Sequence, residues 1–559
     1  MKLYWFGMIA LFVCCTFAQP GLVTAETYYV RVDGGTAAHC SGKANVGYSS
    51  GVRHRACAWN SIMEALPPSW PNYPHAARIK GGDTLIIDAG SYRIGWTRGV
   101  YDLQHMGDPC DAAYASGCAP QAIPSGTPAR PTRILGAGWN TGCAAAPELW
   151  GTQGLNQILD LDGSSNVVVA CLDLTDHSNC TYNYRPDPKY ACDHDWLPYG
   201  EAAPDYGDWA DKGIHAQDSR NVTLLDLDTH GFADMGIQAG RISDWTVTRV
   251  KVVGNGNVGW NGDLGGNGNN SGNSGELVFT DLTVAWNGCA EDYPRLDKFI
   301  NCYGQNEGGY GDGFGEAWTG GDFVFTRPII HHNTQDGLDL LYANGTGSIV
   351  IDHGYFFANA GNDIKTTGNA TITDNVIIAY CSWFKDHDYP AGADSCRAGG
   401  GEYSGMNDPQ QSVVFAFNTM ISNADGMFGG DPDKADASDV YTIANNIFIG
   451  TPSYPPRNGG ANSFFTWFGD GGRFPERVIY TNNLVWQTRK TNCLTEGIIC
   501  KNPLLASMDL RHFDPTPLKG SPALNAATRI DNSSGAPWAA ARRNIGAIQD
   551  PGDWKALKP

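Results

Sequence analysis

Three short acidic stretches in the middle of the chain carry the residue types that could do chemistry. They read Asp312-Gly313, Gln335-Asp336-Gly337-Leu338-Asp339 and Gly361-Asn362-Asp363-Ile364-Lys365, between Tyr310 and Gly368. If they stack in adjacent coils, Asp312 and Asp336 share a corner, Asp339 faces outward, and Gln335 and Asn362 offer amide oxygens. Such a set suits a hard cation such as Ca²⁺. Taken alone, corner Asp residues have an ordinary role in satisfying backbone donors of the turn. Asp339 has no corner role, and its coincidence with Lys365 one coil later is the sharper signal. The pair is either a plain salt bridge or a base beside a cation. A neighbouring carboxylate favours the ammonium form, and a bound divalent ion reverses that field.

Stacking requires a repeat, and the sequence supplies one. Runs such as NVTLLDLDTHG, DWTVTRVKVVGNG, GELVFTDLTVAWNG and SIVIDHGYFFANAG alternate β-branched residues with Gly, Asn and Asp, and no helical pattern separates them. Gly213 and Gly236, Gly313 and Gly337, then Asp363 mark the same turn at intervals of 23, 24 and 26 residues. Propeller blades need about 40 residues or more, whereas one turn of a parallel β-helix fits this step. The chain is therefore expected to be all-β, a right-handed parallel β-helix with an N-terminal capping helix and disulfide-stapled loops. Each residue then lies about 4.8 Å over its counterpart, and side chains alternate inward and outward. Ile214, Ile237, Phe314, Leu338 and Ile364 form the inward column, and His215, Gln238, Gly315, Asp339 and Lys365 the outward one. A short amphipathic helix around residues 60–66 would plug the first coil. The expected divisions are a signal peptide (1–25), an N-terminal cap (26–81), the β-helix (82–490) and a closing segment (491–559).

The spellings QDGLD and, one coil later, GNDIK resemble the DDGFD and GNGFK signatures of the family 9 polysaccharide lyases, exported β-helix enzymes that include pectate lyases. The resemblance covers about three coils. It implies Ca²⁺ held by Asp336, Asp339 and an upstream Asp312, with Lys365 as the catalytic base. Gln335 stands where that family has an aspartate, so it would enter the metal site as a neutral ligand. A lyase acting on a uronic-acid polymer must neutralise the substrate carboxylate and then remove the C5 proton beside it. Ca²⁺ and Lys365 would divide those tasks.

Binding an anionic polymer with a chain of net charge −20 requires a locally basic groove. Arg327, Lys385 and Arg397 would supply it, and Trp383 and Tyr342, with Trp318 and His387, would stack on sugar faces. The insertion Cys381–Cys396 would wall the cleft. Two other functions are compatible with the fold, since fold alone never fixes activity. One is a glycoside hydrolase using Asp336 and Asp339 as acid and base. The other is a non-catalytic glycan-binding surface protein. His331 and His332, consecutive on a strand, are expected to point to opposite faces and to be structural.

Composition narrows the partners. Lys+Arg 38 against Asp+Glu 58, with no basic patch, argues against nucleic acid. Met1-Lys2, an apolar run through Phe17 and a small-residue exit near Ala25 read as a secretory signal, which gives an exported protein, not held in a membrane after cleavage and expected to be monomeric. The cysteines after it fall into local couples: Cys40/Cys57, Cys110/Cys118, Cys143/Cys171, Cys180/Cys192, Cys289/Cys302, Cys381/Cys396 and Cys493/Cys500. An oxidising compartment would close them as loop staples.

Overall fold

The computed structural model describes residues 25–49, 55–68, 76–95, 116–181, 192, 207–265, 271–303, 311–389, 400–405, 412–424, 426–430, 440–452, 464–467, 477–489, 491, 493–530, 544–550 and 552–558. The signal segment, Cys110, Cys396 and Arg397 lie outside them. No helix among the described residues is long and apolar enough to cross a membrane.

Short strands recur coil after coil and pair in parallel with the coil before and the coil after, giving a right-handed parallel β-helix. One ten-stranded sheet runs from Leu159–Asp160 through Lys212–Gln217, Met235–Gly240, Trp260–Asn261, Phe314–Gly315, Leu338–Leu340 and Ile364–Thr367 to Phe464–Trp467. A larger sheet supplies the other faces. The stack already begins at Thr27–Gly35, which pairs in parallel with Thr84–Ile87, and continues to Ile498–Cys500. The capping helix is the single turn Ile62–Ala65, N-capped by Ser61 and buried in the core of the first coils.

Along the ten-stranded sheet the inward residues Leu159, Ile214, Ile237, Trp260, Phe314, Leu338 and Ile364 are all fully buried. Burying each such side chain stabilises the fold by about 1.5–3 kcal/mol. Trp260 stacks on Phe314 at 5.4 Å between centroids.

The turn that leads into this sheet explains the glycine repeat. Gly213, Gly236, Gly259, Gly313 and Gly337 stand in register, and a Cβ on Gly337 would come within 2.8 Å of Asn359 Nδ2 and 2.6 Å of the Asp363 carbonyl oxygen. The space is taken by a ladder of buried amides. Asn255 Nδ2 donates to Asn287 Oδ1, Asn287 Nδ2 to Asn333 Oδ1, and Asn333 Nδ2 to Asn359 Oδ1, each at 2.9 Å. At the next rung the glycine is replaced by Asp363, whose Oδ1 accepts from Asn359 Nδ2 at 2.7 Å and ends the ladder. Asn333→Ala would remove the acceptor of the Asn287 amide and the side-chain donor to Asn359 Oδ1 and to the Val284 carbonyl, breaking the ladder in its middle. We expect a loss of more than about 2 kcal/mol in urea unfolding, because each buried polar group left unpaired costs about 1–3 kcal/mol.

Beyond the solenoid, Leu505, Phe513, Ile545, Ile548, Trp554 and Leu557 pack onto outward residues of the larger sheet, among them Tyr355, Ile378, Ile421 and Ile449. Disulfides join Cys40–Cys57, Cys143–Cys171, Cys180–Cys192, Cys289–Cys302 and Cys493–Cys500. Cys118 and Cys381 are also disulfide-bonded.

Candidate functional site

The outward file of the ten-stranded sheet holds Asp339 and Lys365. Register pairing places Asp160, His215, Gln238, Asn261, Gly315, Asp339 and Lys365 one above another. Asp339 and Lys365 are therefore cross-strand neighbours on successive coils. Lys365 Nζ lies 2.9 Å from Asp339 Oδ2 and 2.7 Å from Asp336 Oδ2. The pair faces out of the solenoid yet is covered, at 7% exposure for Asp339 and 8% for Lys365.

Asp336 is positioned by its turn. Its Oδ1 accepts the backbone N–H of Asn362 at 2.6 Å, and its own N–H donates to Asp312 Oδ1 at 3.0 Å. One oxygen of each corner carboxylate therefore does the backbone work expected of a turn. Asp339 Oδ1 accepts the N–H of Leu341 at 2.9 Å. Oxygens of Asp312, Asp336 and Asp339 all fall within 4.8 Å of one another. Gln335 is buried in the same turn, and its Nε2 has no hydrogen-bond partner among the described residues. Buried hard-oxygen donors at this spacing fit a Ca²⁺ ion, and the Lys365 ammonium now supplies the cation that these carboxylates require.

The other expected residues are placed as follows. Arg327 belongs to the larger sheet. It sits at a corner with φ 52° and pairs through Nε with Asp281 Oδ1 at 2.7 Å, as Arg249 pairs with Asp226. The register does not bring it to the Asp339–Lys365 file. Trp383 and Lys385 lie on the helical turn Trp383–Asp386. Lys385 is exposed, while Trp383 stacks on His387 at 4.0 Å and meets His332 edge-on at 4.3 Å. Tyr342 is half-exposed just beyond Asp339.

His331 and His332 depart from the expected alternation. The φ of His332 is 55°, so the chain bends there and the two rings meet, Nδ1 to Nδ1, at 2.7 Å. Burial pushes His331 down to about 4 and His332 well below its ordinary range. The His332 ring belongs to the aromatic packing around Trp286, Phe357 and Trp383, and His331 meets it edge-on.

Several titratable groups were not singled out by motif. Asp160, Asp162 and His215 cluster farther along the same file, with His215 Nδ1 2.9 Å from Asp162 Oδ1, and burial pushes Asp160 up to about 6. On the larger sheet His230 donates from both ring nitrogens, to Asp173 and Glu291 at 2.8 Å each. Burial opposes its charge, yet these hydrogen bonds hold it well above the usual histidine range. Glu316 follows Gly315 and points inward, where Gly262 leaves it room and Asn273 donates to it at 2.8 Å.

Burial pushes the Glu316 carboxyl from 4.5 to about 8. A raised carboxyl favours the fold while protonated, so its contribution is whole below pH 4.5 and is lost as the pH climbs toward 8. Glu316→Gln should therefore raise the thermal midpoint at pH 8 and change it little near pH 4.5. Parallel pH profiles for the two proteins would contradict this assignment.

No family model matches the chain, and no curated protein matches it. Among solved structures it is similar to pectate lyase Pel9A, at 14% identity over 95% of this chain and 97% of that one, TM-score 0.43. It is also similar to a rhamnogalacturonan lyase, at 11% identity over 87% and 92%, TM-score 0.37. A third is the A-module of the mannuronan C-5 epimerase AlgE6 from Azotobacter vinelandii, at 12% identity over 76% and 92%, TM-score 0.33.

Proposed function

We propose that the protein is a polysaccharide lyase that cleaves a uronic-acid-containing polymer by Ca²⁺-assisted β-elimination, akin to the family 9 lyases, with Lys365 as the base. The carrying observation is the position of Lys365 Nζ between Asp336 Oδ2 and Asp339 Oδ2, with Asp312 beside them. Asp312, Asp336 and Asp339 would hold the ion, with Gln335 as the neutral member of the turn. When bound, Ca²⁺ supplies the positive charge that neutralises these carboxylates and the substrate carboxylate, which makes the adjacent C5–H acidic.

Lys365 would first give its ammonium proton to solvent, and the neutral Nζ would then take the C5 proton. The C5–H electron pair becomes the C4=C5 double bond, the C4–O glycosidic bond breaks, and the departing oxygen gains a proton from solvent. Burial of Lys365 limits hydration of the amine, and its fixed place over Asp339 spares the cost of orienting it.

Hydrolysis with Asp336 and Asp339 as acid and base is the second reading, since both carboxylates meet at Lys365 Nζ, and the product distinguishes the two. The test is a panel of acidic polysaccharides followed at the near-ultraviolet absorbance of the unsaturated uronide. New reducing ends without that absorbance would replace elimination by hydrolysis, and inertness toward the whole panel would leave only the binding-protein reading.

A further inference from the structure

The coil segments that leave the site carry two exposed aromatic rings that the proposed chemistry does not use. Trp318 is 43% exposed and Tyr342 50%. They follow Gly315 and Asp339 at the same offset, so they occupy equivalent places on consecutive coils. The backbone confirms the alignment: Thr319 bridges Ala343 in parallel, Thr319 N–H donates to the Tyr342 carbonyl at 3.1 Å, and Asn344 N–H donates to the Thr319 carbonyl at 2.7 Å. Gly272 N–H holds the Trp318 carbonyl at 3.1 Å. Both rings thus stand on hydrogen-bonded backbone, and neither stacks on another ring among the described residues. Between them and the acidic cluster, the outward position of the Trp318 coil is Gly315, where a Cβ would lie 3.3 Å from Asp312 Oδ2. The file therefore has no side chain at the position beside Asp312, and an aromatic margin runs along its edge.

We infer that Trp318 and Tyr342 form a stacking edge that receives the apolar faces of two neighbouring pyranose rings of the polymer, while Gly315 keeps the space beside Asp312 clear for a sugar carboxylate. This deepens the lyase reading and rests on it. The successive-coil spacing of about 4.8 Å is comparable to the advance of one residue in a 1,4-linked glycan. An aromatic margin also answers the charge problem, because a ring face attracts the C–H side of a sugar whatever the net charge of the protein.

The test compares wild type, Trp318→Ala, Tyr342→Ala and the double variant, each with and without Lys365→Ala to stop turnover. Dissociation constants are measured by calorimetry with defined uronic-acid oligosaccharides in Ca²⁺. Stacking contacts worth about 0.5–1.5 kcal/mol correspond to a rise of roughly 2- to 12-fold per ring removed. KM should rise with them while kcat falls much less, and Trp318→Phe and Tyr342→Phe should restore most of the affinity. Both side chains are half-exposed, so unchanged thermal midpoints are expected and exclude misfolding as the cause. If wild type binds the oligosaccharides and the alanine variants bind equally well, the stacking edge is overturned and the lyase reading stands. If wild type binds and cleaves no acidic glycan, the lyase reading itself falls. An aromatic margin that holds a second copy of the chain instead would show as a wild-type dimer dissociated by the double variant, and that result would also overturn the inference.

Discussion

Replacing Lys365 with alanine is expected to lower turnover of the acidic polymer by roughly 10²- to 10⁴-fold, the usual contribution of a positioned general base. The amine is the group that the register places over Asp339, within 2.9 Å of its carboxylate and 2.7 Å from that of Asp336. The same substitution removes the cation that sits between Asp336 and Asp339, so stability must suffer as well. Removing one partner of a buried ion pair costs about 3–5 kcal/mol, because a buried charge is left uncompensated. Two controls separate the effects. Lys365→Arg keeps a cation near Asp336 and Asp339 but cannot give up its proton, so it should preserve much of the stability and none of the turnover. Added Ca²⁺ should restore the thermal midpoint of Lys365→Ala without restoring its activity. Turnover that survives the loss of the amine would remove Lys365 from the chemistry.

Chelation is expected to have an effect of similar size. A chelator should reduce elimination to background, and Ca²⁺ should restore it more fully than Mg²⁺, which demands a smaller and stricter octahedral site. The thermal midpoint of the wild-type protein should rise with Ca²⁺, by the equivalent of about 2.7 kcal/mol at a hundred times the dissociation constant. Asp336→Asn should blunt that rise, because it removes the negative charge of the oxygen that now meets Lys365 while leaving an amide oxygen to accept the Asn362 N–H. Asp312→Asn should do the same more mildly. A wild-type midpoint insensitive to Ca²⁺, with turnover indifferent to chelator, would exclude a cation from these carboxylates.

The sequence revealed much of this arrangement because a solenoid makes position nearly additive. Once Gly213, Gly236, Gly313 and Gly337 are aligned, the alternation of strand side chains fixes which residues face inward, and the structure pairs Leu338 with Ile364 and Asp339 with Lys365 accordingly. The rung Trp260–Asn261 escaped the alignment because a long excursion follows it, although Gly259 keeps the glycine register. Alternation failed where the backbone leaves the extended region. His332 and Arg327 both have positive φ, so neither side chain follows the parity of its neighbours. In a non-glycine residue that conformation leaves no periodic trace in the sequence. The sequence already aligns Asp363 with the glycines of the repeat, but that its carboxylate ends a row of asparagines is visible only when the amides are seen to touch. Burial pushes it up to about 8.

The apolar seam between Leu505–Leu557 and the larger sheet has a bearing on how the polypeptide is made. Domains acquire structure as they emerge during synthesis, the earlier-made part first. Coils carrying Tyr355, Ile378, Ile421 and Ile449 would close before their outer covering exists, leaving a greasy stripe open to the surroundings until ribosomes deliver Trp554. A nascent chain of this design needs either a chaperone along that stripe or a pause short enough that neighbours do not find it.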